Sequence, residues 1–192
     1  MRNGLRTQAG YSLVELMVVV GIMGVLTGIA VLQVGSSKQA LIGDGGMRVV
    51  LAQMNQAKQL AITQRRNMRV TFNGSNSVQI VREEVPGPTV TTISSVPFEG
   101  GVRFVRISTP NIGEPPPPEL PAPSSGAVAF GAATQYRFSP DGIFIDQNGV
   151  TLNGTLFVAI PNQAMSARAM TIFGSTGRIR AFRWDGSAWK VV

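Results

Sequence analysis

The sequence contains neither histidine nor cysteine among its 192 residues. Without cysteine there is no disulfide scaffold, thiolate nucleophile or ordinary zinc site. Without histidine there is no Ser-His triad and no imidazole base. We therefore expect a protein that is not an enzyme and that uses no metal or cofactor. Charged residues are also scarce, at 14% against 44% hydrophobic residues, which predicts that apolar side chains are concentrated in one segment.

That segment spans residues 13–34 and carries a single charged residue, Glu15. About 20 apolar residues suffice for a helix to cross a bilayer. Arg2 and Arg6 precede the run, and positive charge on that side favours a cytoplasmic N-terminus with the rest of the chain across the membrane. Because a carboxylate at membrane depth is costly, Glu15 is a candidate functional residue that needs a partner.

Residues 10–16, Gly-Tyr-Ser-Leu-Val-Glu-Leu, resemble the processing signal of type IV pilins and pseudopilins. The resemblance implies a leader at 1–10, cleavage between Gly10 and Tyr11 by prepilin peptidase, and N-methylation of Tyr11, where the family usually has Phe. Residues 11–35 would form the transmembrane half of a helix. The resemblance also implies that Glu15 pairs with the N-terminal amine of a neighbouring subunit during filament assembly. Such pairing offsets the desolvation of both charges.

Residues 36–66 contain no proline and predict the amphipathic half of the same helix. Gly43-Asp44-Gly45-Gly46 interrupts the pattern and predicts a bend or local melting, with Asp44 capping the second piece. Three arginines near the C-terminal end of the helix, at 65, 66 and 69, can interact favourably with the helix dipole. The apolar stripe, which we expect to pack on the protein's own sheet, consists of Met47, Val50, Leu51, Met54, Ala57 and Ala61.

Residues 67–192 show short alternating segments separated by turn residues, which predicts an antiparallel β head. A proline-rich stretch at 110–126 predicts a surface loop. The predicted strands are 68–72, 77–81, 89–95, 102–107, 127–130, 134–138, 143–145, 155–160, 169–174, 178–183 and 188–191. The predicted fold class is α+β and pilin-like, a long N-terminal helix packed on a β-sheet head. This layout resembles the FimT/GspH-type minor pilins and pseudopilins.

Polar residues at 141–148 allow two interpretations. Asp141, Asp146 and Asn148 could offer oxygen ligands to Ca²⁺, but their spacing is not that of an EF-hand and each stands where a turn prefers it. We favour turns. Asn73 and Asn153 match the glycosylation sequon, yet each precedes glycine, and Asn-Gly favours a hairpin turn.

The C-terminal segment is basic and carries two tryptophans. Arginine interleaved with aromatic residues is typical of surfaces that bind nucleic acid. Gly177-Arg-Ile-Arg180 resembles a motif that, in the FimT branch, is associated with DNA binding during natural transformation. The alternative is a solvated edge hairpin with its tryptophans half in the core. The candidate DNA-binding residues are Arg178, Arg180, Arg183 and Lys190.

Three hypotheses follow. The first is a minor pilin or pseudopilin of a type IV pilus or type II secretion system, anchored in inner-membrane lipid with a periplasmic head, whose partners are other pilins and prepilin peptidase. The second is a minor pilin that also binds DNA. Loss of Arg2 and Arg6 with the leader would lower the net charge from +7 to +5, which permits polyanion binding. The third is a membrane-anchored periplasmic binding domain unrelated to filaments.

Overall fold

The computed structural model describes residues 11–108, 112–113, 126–131 and 133–192. The predicted leader at 1–10, Gly10 included, and most of the predicted proline-rich loop at 110–126 lie outside the described residues. The chain divides into two compact units, Met1–Ser37 and Lys38–Val192. Each unit is described by itself.

The long helix α1 spans Leu13–Gln64. In the first unit, its stretch Leu13–Ala30 is long and apolar enough to cross a membrane. None of these side chains is buried. A helix that is apolar on every side and packs on no other described residue of its unit is more stable in hydrocarbon than in water.

In the second unit, α1 buries the predicted stripe. Five of its six apolar residues are buried, and only Leu51 stays half-buried. The stripe follows the helical repeat, so it forms one face along the core of the unit. The predicted amphipathic packing is therefore confirmed.

The glycine-rich interruption does not melt the helix. Residues 43–46 are helical, so the predicted melting is wrong, and Asp44 lies in the interior of α1 instead of capping a second helix. The glycines instead allow other segments of the head to approach α1 closely. A Cβ on Gly43 would overlap the carbonyl oxygen of Ser166, and one on Gly46 would lie 2.6 Å from Val102 Cγ1. Packing against α1 outweighs the intrinsic cost of glycine in a helix.

Arg65 and Arg66 form the turn that ends the helix. Arg65 adopts a left-handed conformation with φ of 49°. The Arg66 N–H donates to the Ala61 carbonyl at 3.2 Å, the long hydrogen bond of a Schellman motif. Glycine usually holds the left-handed position, so this helix end could not be recognised from a capping residue. The turn directs the chain into the first strand.

In the described part of the chain, ten strands form two antiparallel sheets. In the first sheet, the strands are β1 (Met68–Asn73), β2 (Ser77–Glu83), β3 (Val90–Pro97), β5 (Tyr136–Phe138) and β6 (Phe144–Ile145). In the second sheet, they are β4 (Val128–Ala129), β7 (Gly154–Val158), β8 (Arg168–Phe173), β9 (Arg178–Trp184) and β10 (Trp189–Val191). The spatial order is β3-β2-β1-β5-β6 in the first sheet and β10-β9-β8-β7-β4 in the second. A short 3-10 turn, Ala164–Ser166, precedes β8.

Every predicted strand is present except 102–107. There, Arg103 exchanges hydrogen bonds with Ala159, while the Phe104 N–H donates to the Ser75 carbonyl at 2.6 Å. Neighbouring residues thus bond to different parts of the head, and the segment joins no ladder.

The core lies where the stripe of α1 meets the inner faces of both sheets. Met68 and Ile80 come from the first sheet, and Leu156 and Met170 from the second; all four are fully buried. Because α1 covers an apolar face of each sheet, the two sheets and the helix share one core. The predicted α+β fold class is confirmed.

Candidate functional site

The predicted assembly residues lie at the start of α1. The Leu16 N–H donates to the Ser12 carbonyl at 3.1 Å, which closes the first helical turn around Glu15. A carboxylate in the first turn interacts favourably with the helix dipole. Tyr11 is 84% exposed, and together with Glu15 and Val19 it borders a surface hollow. The helical repeat places Glu15 and Val19 on one face of α1, and Tyr11, just before the helix, borders the same hollow.

Glu15 has no hydrogen bond or ion pair to any residue that the structure describes. Its nearest neighbours in the hollow, Leu16 and Val19, are apolar. A carboxylate on an apolar helix that enters lipid requires a cation. The arrangement therefore suits a positive group brought from outside the described residues.

The four basic residues of the C-terminal segment do not form one patch. Arg178 and Arg180 share a face of β9, as predicted, because strand side chains alternate. Arg183 lies on the other face, directly across from Lys190 of β10. The structure thus brings the four together as two pairs on opposite faces of the sheet.

An acidic residue lies beside one of these pairs. Lys190 Nζ is 3.7 Å from Asp185 Oδ2. Hydrogen bonds from the backbone N–H groups of Ala188 and Ser187, and from the Ser187 hydroxyl, lower the pKa of Asp185 to about 2. Its charge therefore persists near neutral pH and partly cancels that of Lys190.

The tryptophans hold the β9–β10 hairpin against the head. Trp184 and Trp189 meet edge to face, with ring centroids 5.5 Å apart. Trp189 Nε1–H donates to the Gly113 carbonyl at 2.8 Å, and both rings pack half-buried beside Ile107 and Ile112. Rings fixed in this way have little free face for stacking on bases. The alternative of an edge hairpin with its tryptophans half in the core accounts for them.

Gly177, the first residue of the candidate DNA motif, has a packing role. It adopts φ of 56°, and a Cβ there would overlap the Gly142 carbonyl oxygen. Lys58 of α1 donates to the carbonyls of Thr176 and Gly177 at 3.0 Å each. The turn that carries the motif is therefore attached to the helix.

The oxygen-bearing residues at 141–148 form turns. Asp146 Oδ1 accepts hydrogen bonds from the backbone N–H groups of Asn148 and Val150, both at 2.8 Å. The Gly142 N–H donates to the Ser139 carbonyl at 2.8 Å, which closes the turn around Asp141. Both acidic residues thus stand in turns, as we favoured.

Two polar clusters could not be predicted from the sequence. One is the buried Arg168 with Asp44, discussed below. The other is a cleft of about 610 Å³ at the end of α1, whose walls include Arg65, Arg66 and Arg137. The arginines at the helix end were visible in the sequence, but nothing indicated that Arg137, some 70 residues later, would join them.

In comparisons with known proteins, one family model matches a part of the chain. Residues 5–31 match the model of the prokaryotic N-terminal methylation motif. The match covers the junction between the predicted leader and the apolar helix, and indicates a type IV pilin-like substrate of prepilin peptidase. No curated protein and no solved structure matches the chain.

Proposed function

We propose that this protein is a minor pilin or pseudopilin of the FimT/GspH type, a non-catalytic subunit of a type IV pilus or a type II secretion pseudopilus. Prepilin peptidase cleaves it after Gly10 and methylates Tyr11. The subunit then resides in the inner membrane, with its head in the periplasm, until it joins or primes a filament. The observation that carries the proposal is the match of residues 5–31 to the methylation motif, together with the apolar helical stretch Leu13–Ala30, whose one charge is Glu15.

The electrostatics of Glu15 support the assembly step. Removal of the leader creates a new ammonium group at Tyr11, and a second subunit can place its own ammonium against Glu15. Pairing in a medium of low dielectric offsets two desolvation costs, whereas an unpaired carboxylate keeps its full cost. Assembly is thereby coupled to processing.

Intact-mass analysis of the protein from cells tests processing. The expected mass corresponds to the loss of residues 1–10 and the gain of one methyl group. Functional protein that retains its first ten residues would contradict the proposal.

The assembly step is tested with Glu15→Ala. This variant should be processed and keep the head stability of the wild type, yet fail to enter filaments. Glu99→Gln, which neutralises an exposed acid on the head, is the matched control and should assemble normally. Normal assembly of Glu15→Ala would instead favour the third hypothesis, a membrane-anchored periplasmic binding domain unrelated to filaments.

A second candidate function is DNA binding through the basic C-terminal segment. It is favoured by Arg178 and Arg180 on one face of β9, with Arg178 exposed. Phosphate contacts release counterions, so affinity should fall steeply with salt. Arg178→Ala/Arg180→Ala should reduce the slope of log affinity against log salt by about 1 to 2. The control Arg48→Ala/Arg103→Ala removes two exposed arginines elsewhere and should retain the slope. Equal slopes in both double variants would eliminate this function.

A further inference from the structure

A positively charged cleft lies where α1 ends and the first sheet begins. Arg65 and Arg66 approach from the helix end, and Arg69 and Arg137 from β1 and β5. The walls also include two acids, Glu83 and Glu84, and the apolar residues Val85, Pro88, Val90 and Pro140. The site combines an excess of guanidinium groups with apolar walls.

The floor of the cleft places two like charges side by side. Arg69 and Arg137 are directly opposite each other on neighbouring strands, a destabilising arrangement without a counter-charge. Glu83 lies between them, 2.6 Å from Arg137 Nη1 and 3.9 Å from Arg69 Nε. One carboxylate is therefore the counter-charge of two guanidinium groups. The Nε atoms of both arginines are buried, and each lacks a hydrogen-bond partner.

The second acid, Glu84, is already paired with an arginine. Glu84 accepts a hydrogen bond from Arg82 Nε at 2.7 Å and another from the Thr91 hydroxyl at 2.8 Å. These hydrogen bonds, that of Arg82 foremost, lower the pKa of Glu84 and keep it ionised. Arg65 and Arg66 have no ion pair to any described residue. Arg66 also lies close enough to Glu84 to contribute to this lowering of the pKa. Four arginines and two acids line the cleft, so it keeps an excess of positive charge.

The cleft adjoins the edge of a sheet. Val90 lines the cleft and is also the first residue of β3, the outermost strand of the first sheet. No strand in the described part of the chain pairs with the outer side of β3, whose first four residues are exposed. The stretch of this open edge beside the cleft, up to the irregularity after Thr92, can accept an extended segment as an added strand.

We propose that the cleft and the β3 edge form a docking site for an extended acidic segment of a partner protein. The backbone of the segment pairs with β3, and one of its Asp or Glu side chains enters the cleft near Arg65 and Arg66. The guanidinium fork suits a carboxylate. The apolar walls accommodate the flanking side chains of a peptide, and the β3 edge pairs with its backbone, two contacts that a free phosphate cannot make.

Peptide binding to the full chain in detergent micelles tests the proposal. The probes are acetyl-Thr-Val-Glu-Val-Thr-amide, the same peptide with Gln in place of Glu, and inorganic phosphate. We expect saturable binding of the Glu peptide, at least tenfold weaker binding of the Gln peptide, and slower amide exchange along β3 when the Glu peptide is bound. Phosphate should bind at least tenfold more weakly than the Glu peptide.

Arg65→Gln/Arg66→Gln should weaken the Glu peptide at least tenfold, whereas the control Arg48→Gln/Arg103→Gln should not. Thermal melting of both variants checks that the head is folded, and the comparison of peptides on the wild type is independent of any variant. Equal affinity for the Glu and Gln peptides, no binding of either, unchanged β3 exchange or phosphate binding as tight as the peptide would each overturn the proposal.

Discussion

Arg168 Nε donates a hydrogen bond of 2.6 Å to Asp44 Oδ1, across 124 positions of sequence. The Arg168 side chain is completely buried, and that of Asp44 is 23% exposed. Arg168 Nη2 also donates to the Ala40 carbonyl at 2.7 Å, so the arginine holds two successive turns of α1. Nη1 donates to the carbonyls of Met165 and Ala167, just before β8.

This arrangement explains how a guanidinium can lie in the interior. A buried charge is tolerated only when it is paired and hydrogen-bonded. Arg168 meets both conditions through Asp44 and three backbone carbonyls. It thereby fixes α1 at 40–44 to the second sheet, at the place where the glycines allow close approach.

Asp44→Ala should destabilise the head, because it leaves the Arg168 charge buried without its counter-ion. Breaking a buried pair costs about 3–5 kcal/mol, and the partial exposure of Asp44 places the expected loss at about 3 kcal/mol. Urea unfolding followed by tryptophan fluorescence measures the change. Glu99→Ala removes an exposed acid and should alter stability by less than about 0.5 kcal/mol. Equal stability of the two variants would show that the pair contributes nothing.

Gly43→Ala and Gly45→Ala should have opposite effects on stability. A Cβ at Gly45 meets nothing within 4 Å, so alanine there should stabilise the helix by about 0.5–1 kcal/mol. A Cβ at Gly43 overlaps the backbone of Ser166, which cannot yield as a side chain can. That variant should therefore be less stable than the wild type. The same urea experiment compares them, and a gain at both positions would refute the close approach at Gly43.

Local periodicity was sufficient to predict most of the fold. The stripe from Met47 to Ala61 repeats every three or four residues, and the strands alternate between turn residues, so both patterns lie within single elements. The interpretation failed at Gly43–Gly46, because the intrinsic cost of glycine is local, whereas the contact with Ser166 that requires it is not.

Of the candidate site, too, only the parts that depend on neighbouring residues could be predicted from the sequence. Residues 10–16 form a contiguous motif, and the family match includes them. The register of β9 confirmed that Arg178 and Arg180 share a face, but the position of Lys190 depends on how β10 pairs with β9. The Arg168 pair and the arginine cleft arise from contacts between distant segments, which composition and spacing do not reveal.

Acid should weaken the head partly through Asp185. Its pKa in the folded protein is lowered to about 2, below its ordinary value of 3.8. A lowered pKa means that its contribution is present above the ordinary value and is lost as the pH falls towards 2. Asp185→Asn should therefore be less stable than the wild type at pH 6, and the difference should shrink between pH 4 and pH 2. Thermal melting across this range measures it. A difference that does not change with pH would exclude ionisation of Asp185 as the cause.

Gly177→Ala should destabilise the turn before β9 without removing any charge of the candidate DNA motif. Gly74 is the matched control, because it adopts φ of 57° against 56° for Gly177, so alanine meets the same backbone strain at both positions. A Cβ at Gly74 meets nothing within 4 Å, whereas one at Gly177 overlaps the Gly142 carbonyl oxygen and crowds Lys58. Gly74→Ala should therefore cost about 1 kcal/mol, and Gly177→Ala clearly more. Equal melting temperatures for the two variants would show that Gly177 is required only for its backbone conformation and not for its contact with Gly142.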